Sequence, residues 1–386
     1  ERYNKEWRDP LQIVRQSTNG TKVENTHLKY KTKGSWWEIL KDLKIRLLIS
    51  REYEHFMISL GCKNISPEIS YLSIPHPSGI AVDHQTKIVY ISSTRNPNQV
   101  YTFCPSKGLI PREDMELTKK QREEYGNPLV PVNSQFYPGS LYIHDLAVIG
   151  GKLYANAVGH NAIVRLPPSG GYKYVWWPLC VDRKKGPVTE VNYLQLNSIA
   201  YGKTIKDSYF SASIDRISSL RPGHINFPVN GKGVIFSGKT RKPICYGLTR
   251  PHSARLYKGR IWINNSGYGE FGFVDKNKFK SIIRLPGWTR GLCMKEGIAF
   301  IGTSRVIPRF TKYAPGLDKE KSLCAVYAVK VKSGKNLGYI SWPSGNQIFS
   351  VEWIPQNFSD GFPVRYLPQG NTQNIKKLFY AYKIPK

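Results

Sequence analysis

Leu248-Thr-Arg-Pro-His-Ser-Ala-Arg-Leu-Tyr-Lys-Gly-Arg-Ile-Trp-Ile-Asn-Asn-Ser-Gly-Tyr-Gly-Glu-Phe-Gly-Phe-Val-Asp275 decides the fold. It reads as two short strands joined by a tight Lys-Gly turn, then a glycine-rich loop, then a third strand. Arg255-Leu-Tyr and Arg260-Ile-Trp-Ile have the aromatic and β-branched content of half-buried strands. The same design recurs along the chain. Ser78-Gly-Ile-Ala-Val, His144-Asp-Leu-Ala-Val, Asn197-Ser-Ile-Ala-Tyr, His252-Ser-Ala-Arg-Leu, Arg290-Gly-Leu-Cys-Met and Phe349-Ser-Val-Glu-Trp share one register. Each has a key residue followed by small and apolar positions.

Second strands follow most of them: Ile88-Val-Tyr-Ile, Leu153-Tyr-Ala-Asn, Ser208-Tyr-Phe-Ser, Ile261-Trp-Ile-Asn and Ala299-Phe-Ile-Gly. Val100-Tyr-Thr-Phe, Ala162-Ile-Val-Arg-Leu, Phe271-Gly-Phe-Val and Ala325-Val-Tyr-Ala-Val read as third strands. Tyr174-Val-Trp-Trp, Gly233-Val-Ile-Phe, Ser281-Ile-Ile-Arg-Leu and Leu337-Gly-Tyr-Ile read as fourth strands. A repeated four-stranded unit of roughly 40 to 60 residues is the pattern of a propeller blade. Six registers predict an all-β, six-bladed β-propeller.

The N-terminal strands Arg46-Leu-Leu-Ile-Ser and His55-Phe-Met-Ile-Ser-Leu are unassigned by this register. So are Gln347 to Trp353 and Leu378-Phe-Tyr-Ala-Tyr-Lys-Ile at the C-terminal side. Together they are expected to close the last blade, which removes exposed sheet edges. The domain is drawn at 44–386, with 1–43 as an N-terminal extension and an insertion at about 105–140. Trp36 to Leu43 is the best helical candidate.

Composition sets the outer bounds. The chain has 386 residues, 33 Gly and 26 Pro, the last two spread as punctuation between short strands. Its formal charge is +30, a field that draws polyanions. Clusters stand at Arg183-Lys-Lys185, Lys239-Thr-Arg-Lys242 and Lys330-Val-Lys-Ser-Gly-Lys335. No zinc-finger spacing, RNA-binding aromatic signature or basic helix accompanies them, so nucleic acid is the weaker partner. An anionic small molecule or polysaccharide is the stronger one. The six cysteines form no Cys-x-x-Cys pair, which argues against a zinc or redox motif. No stretch approaches a membrane span. A start at Glu1 without a hydrophobic leader, and four Asn-x-Ser/Thr sequons, tilt the expectation toward a secreted or extracytoplasmic protein.

In a propeller the first strand of each blade lines the axis. The six register residues, Ser78, His144, Asn197, His252, Arg290 and Phe349, should therefore ring one mouth. Loops between second and third strands add His160, Asp215, Arg216, Asn265, Ser266, Glu270 and Arg305, and His76 stands just ahead of Ser78. A mouth with convergent polar groups is the default ligand site. Three readings stay open. In the first, His144 and His252, helped by His160 or His76, hold one divalent metal ion, with Asp145 or Asn197 to orient them. In the second, the histidines, His144 among them, act as acid and base without metal while Arg290 and Arg305 clamp an anionic substrate. His76, Asn197, Asp215, Asn265 and Glu270 would then contact the ligand. In the third, the ring satisfies buried strand ends and a channel of water. His27, His55, His84 and His224 lie off the register.

Arg250-Pro-His-Ser-Ala-Arg, Gly259-Arg-Ile-Trp-Ile-Asn-Asn-Ser-Gly-Tyr-Gly-Glu and Leu285-Pro-Gly-Trp-Thr-Arg-Gly-Leu resemble a family known as domain of unknown function 4915. Ile143-His-Asp-Leu-Ala and Leu196-Asn-Ser-Ile-Ala also fit its pattern. The resemblance covers roughly residues 40 to 356. It implies a propeller and carries no activity. The matching motif residues are His144, Asp145, Asn197, His252, Asn265, Gly267, Glu270, Arg290 and Gly291. Gln195 stands where the family usually has His. The favoured function is a ligand-binding propeller, a metal-dependent lyase or hydrolase on an anionic substrate, by analogy with propeller enzymes that hold a metal on the axis. The rival is a non-catalytic module that binds polyanions through its basic surface.

Overall fold

A computed structural model describes residues 23–94, 98–114, 126–224, 226–366 and 381–384. Six antiparallel sheets stand around an axis. Blade 1 comprises Pro77–Asp83, Ile88–Ser93, Asn98–Pro105 and Leu129–Tyr137, from the axis outward. Blade 2 comprises Ile143–Ile149, Lys152–Ala157, Ala162–Arg165 and Lys173–Trp176. Blade 3 is Leu196–Ala200, Tyr209–Ala212, Gly233–Ser237 and Pro243–Leu248. Blade 4 is Pro251–Tyr257, Arg260–Asn265, Glu270–Asp275 and Lys278–Arg284. Blade 5 is Trp288–Lys295, Ile298–Ser304, Ala325–Lys330 and Lys335–Ser341.

Blade 6 joins the two ends of the chain. Its inner strand, Ser350–Pro355, pairs with Ile45–Arg51, which pairs with Phe56–Lys63 and then Ser66–Ser73. The ring is thereby closed by hydrogen bonds between strands some 300 residues apart, as the repeat predicts. Val364–Arg365 adds a short outer pairing to the same sheet.

Three expectations are adjusted. Gly233–Ser237 is the third strand of blade 3, not the fourth, because the long loop after Ala212 separates it from its partner. Leu129–Tyr137 lies within the stretch read as an insertion, yet forms the outer strand of blade 1. Of the C-terminal run 378–384, residues 378–380 lie outside the described residues; Tyr382 bridges Leu109 beside blade 1 instead of joining blade 6.

The stretch drawn as an extension contributes to the sheet layer. Lys31–Gly34 adds a fifth strand to blade 5 along Lys335–Ser341. Trp36–Asp42 is the helix its spacing predicts, burying Trp36, Ile39 and Leu40 on one side. Aromatic side chains fill the wedges between blades. Trp176 lies 4.0 Å from Phe210 between blades 2 and 3, and Trp262 packs with Leu292 and Met294 between blades 4 and 5. All six cysteines are free thiols, and Cys62, Cys245, Cys293 and Cys324 are buried. Among the described residues no helix is long and apolar enough to cross a membrane.

Side-chain hydrogen bonds stitch each blade to the next at the axis. Ser78 Oγ donates to Ile143 O (3.0 Å), and Asn156 Nδ2 to Leu196 O (2.9 Å). Asn197 Nδ2 donates to Pro251 O (3.0 Å), and Ser266 Oγ to Thr289 O (2.6 Å). Ser304 Oγ donates to Ile348 O (3.0 Å), and Ser50 Oγ to Ser78 O (2.6 Å). Five of these acceptors immediately precede a register residue. Asn156 carries most: its Oδ1 also accepts from the backbone N–H groups of His144 and Asp145. Asn156→Leu leaves these buried groups without partners and should lower the unfolding free energy by about 3 kcal/mol. A urea midpoint unchanged from the parent would refute this role.

Candidate functional site

The bulge near the start of most inner strands turns the first side chain toward the mouth. Arg290 is one of these residues. The guanidinium carbon lies 3.3 Å from the centroid of the Phe349 ring, and Nη2 is 3.5 Å from His144 Nδ1. The His144 ring meets Phe349 edge-on at 5.4 Å and Tyr142 at 4.7 Å. Among the described residues no carboxylate comes within 4.0 Å of Arg290. Burial pulls its pKa down to about 10, with the more distant Glu52 opposing. A half-buried cation without a close counter-charge favours an incoming anion.

His252 stands beside it. Nδ1 lies 2.8 Å from Arg250 O and 3.0 Å from Ser266 Oγ. A carbonyl only accepts, so this contact assigns the proton to Nδ1 and leaves Nε2 with the lone pair. Burial first, and the Arg290 charge second, hold its pKa well below the usual imidazole value, so the ring is neutral at neutral pH. Arg250 is a second buried guanidinium, stacked 4.1 Å from the Tyr313 centroid and bonded to Pro222 O. Burial brings its pKa to about 10.

The other expected residues divide. Ser78 and Asn197 are in the ring, but their donor groups are spent on the blade-to-blade bonds. His76 is at the mouth with its ring 4.2 Å from His55 and Nδ1 3.9 Å from Glu52 Oε1. Asn265 and Glu270 bond each other at 2.7 Å, and Asn265 Oδ1 accepts from Thr249 N–H, so they brace a turn. Asp215 pairs with Arg216 at 2.9 Å on the surface. Arg305 is exposed, its N–H on Asn346 O. His160 is turned to the outer strand of its blade, 2.9 Å from Tyr174 Oη. The expected three-histidine metal site is therefore not assembled. Among the described residues no three His, Cys, Asp or Glu side chains are grouped to hold a metal. His144 and His252 both border the Arg290 cation, which opposes a second cation there. The donor set does not fit a divalent ion.

Glu52, Tyr142 and Arg250 were not singled out from the sequence. Tyr142 and Arg250, like His76 and Gln195, stand two positions before a register residue. All four have left-handed backbones, with φ of 54°, 52°, 45° and 50° respectively. That recurring offset was the available signal. Asn264, one of the sequons, is fully buried with Nδ2 toward Gly291 O.

The far end of the axis has a different character. Asp145 of blade 2 reaches Arg255 of blade 4 at 2.9 and 3.3 Å, and accepts from Ile199 N–H of blade 3. Beyond this pair a cavity of about 440 Å³ opens, lined by Tyr201, Arg255, Cys293, Glu352 and aliphatic side chains. Burial pushes the Glu352 carboxyl up to about 7, with Arg255 opposing.

The family described as domain of unknown function, DUF4915, matches residues 34–360, most of the chain. Among curated proteins none is similar enough to match. Solved structures give likenesses of fold. The nidogen/laminin complex aligns at 10% identity over 81% of this chain and 99% of that one, with a TM-score of 0.50. The gluconolactonase XC5397 of Xanthomonas campestris aligns at 13% identity over 70% and 77%, with a TM-score of 0.42. A Bacteroides uniformis protein provisionally named a 6-phosphogluconolactonase aligns at 11% identity over 80% and 99%, with a TM-score of 0.46.

Glu352 provides a test of this electrostatic description. Its folded pKa lies above the ordinary 4.5, so the folded state holds the proton more tightly than the unfolded state. The resulting stability is complete below the ordinary pKa and is lost as pH rises to about 7. Glu352→Gln removes the titration. Its melting temperature should match the parent near about pH 4 and exceed it near about pH 8. Parallel melting curves across that range would refute the burial of this carboxyl.

Proposed function

The chain belongs to the DUF4915 family, and we propose that its mouth binds an anionic small molecule anchored on the Arg290 guanidinium. One observation carries this reading: Arg290 is half-buried with its guanidinium carbon 3.3 Å from the Phe349 ring centroid, and has no carboxylate within 4.0 Å among the described residues. A carboxylate or phosphate of the ligand would supply the missing charge through paired N–H bonds. Phe349 packs against that fork, and His144 borders it.

His252 adds a second recognition element. With its proton on Nδ1, it presents Nε2 as an acceptor for a ligand hydroxyl or a water. A neutral imidazole beside a bound anion can take up a proton, which suits a hydrolase or lyase step without metal. The imidazolium so formed would be destabilised by Arg290 until the ligand's charge offsets it. Ligand binding and the basicity of His252 are thus coupled on this reading.

Titration calorimetry with gluconate and with neutral glucose tests the assignment. Gluconate should bind and glucose should not. Arg290→Ala should weaken gluconate by at least about tenfold, the scale of one lost charge-assisted bond. Arg290→Lys should also bind more weakly, since an ammonium lacks the planar fork. Dialysis against a chelator should leave affinity unchanged. Equal binding of both sugars, an unaffected Arg290→Ala variant, or loss on chelation would each overturn the reading.

A further inference from the structure

The face opposite the Arg290 mouth carries a second feature. A groove of about 810 Å³ runs between blades 4 and 5, lined by Tyr257, Lys258, Arg260, Glu296, Lys330 and Lys332 among others. It shares Tyr257, Lys258 and Glu296 with the axial cavity, so groove and cavity are neighbours on this face. Lys258, Arg260, Lys330 and Lys332 are exposed, and among the described residues none has a carboxylate within ion-pair distance. Glu296 is the sole acidic lining residue, and Lys295 lies 3.4 Å from it. The groove is thus a strip of four unpaired cations. At its axial end the chemistry changes. Glu352 presents a carboxyl, and the buried Arg255 Nε has no hydrogen-bond partner although its other nitrogens hold Asp145.

We propose that this face binds an anionic oligosaccharide, with charged units along the Lys258, Arg260, Lys330 and Lys332 groove and the terminal sugar in the axial cavity. Sulfate or carboxylate groups complement the strip of cations. Adjacent sugar hydroxyls both donate and accept, which matches Glu352 beside the unpartnered Arg255 Nε. An acidic peptide would bring carboxylates that repel Glu352, and it lacks the adjacent hydroxyl pairs of a sugar. A single-stranded nucleic acid would need open aromatic faces. Trp262 is stacked on Phe271, and Arg260 covers Phe273. The site shares no residue with the Arg290 mouth, and its test reads independently of that one.

The probe is a fluorescently labelled heparin hexasaccharide, followed by anisotropy on the full chain. Lys330→Glu/Lys332→Glu should weaken binding at least about tenfold. Lys239→Glu/Lys242→Glu makes the same charge change on the outer hairpin of blade 3 and should leave affinity within about twofold. Glu352→Leu removes the carboxyl without adding a buried charge and should weaken the hexasaccharide about tenfold. Poly-glutamate of matched charge should compete poorly. Equal losses in both lysine pairs would mean general attraction and would overturn the site. An unaffected Glu352→Leu variant, or poly-glutamate competing as well as the unlabelled hexasaccharide, would overturn it too.

Discussion

Six side-chain hydrogen bonds around the axis hold the propeller together at the place where it is most exposed to failure. Inner strands converge there, and buried carbonyls just before five of the register residues accept side-chain donors from a neighbouring blade. A buried carbonyl without a donor is costly. Ser78, Asn156, Asn197, Ser266, Ser304 and Ser50 each supply the donor from the preceding blade. The sixth bond passes from the N-terminal strands back to blade 1, so the circle closes only when both ends of blade 6 are in place.

This constraint decides what remains for chemistry. Ser78 and Asn197 occupy ring positions but are consumed in holding blades together. Arg290, His144 and His252 are not. One step along each inner strand the residues are mostly small: Gly79, Ser198, Ser253, Gly291 and Ser350. A Cβ on Gly79 would lie 2.7 Å from Asp145 Cα, so strands approach closely here. Asp145 is the exception in this layer, and its side chain crosses the axis to Arg255. That pair ties blades 2, 3 and 4 and fills the space between the two ends. It separates a mouth governed by desolvated guanidinium groups from a cavity governed by a protonatable carboxyl.

The two ends also differ in how they meet the large positive charge of the chain. Arg250 is buried and Arg290 half-buried, each against an aromatic ring, which lowers their hydration. Lys330 and Lys332 stay in water, where attraction is longer in range and screened by salt. The same net charge thus stands partly shielded by aromatic rings at one end and in water at the other.

The repeat, the number of blades, the closure by distant strands and the approach of His144, His252 and Arg290 to one mouth were all legible in the sequence. They follow from alternation and register, which are local properties copied six times. The strand order within blade 3 was misread because a loop of some twenty residues interrupts the period. His160 matched the loop rule but turned outward to Tyr174, and Asn265 met Glu270 across a turn. Side-chain direction there depends on neighbours that the register does not specify. Asp145 and Arg255 are 110 residues apart, and the left-handed backbones of Tyr142 and Arg250 belong to residues whose type does not favour that conformation. Sequence by itself determined which residues start the inner strands, because hydrophobic alternation sets register. Only the tertiary structure decided which of them bond a neighbouring blade and which stay available to a ligand, because that depends on the partners each side chain finds when the ring closes.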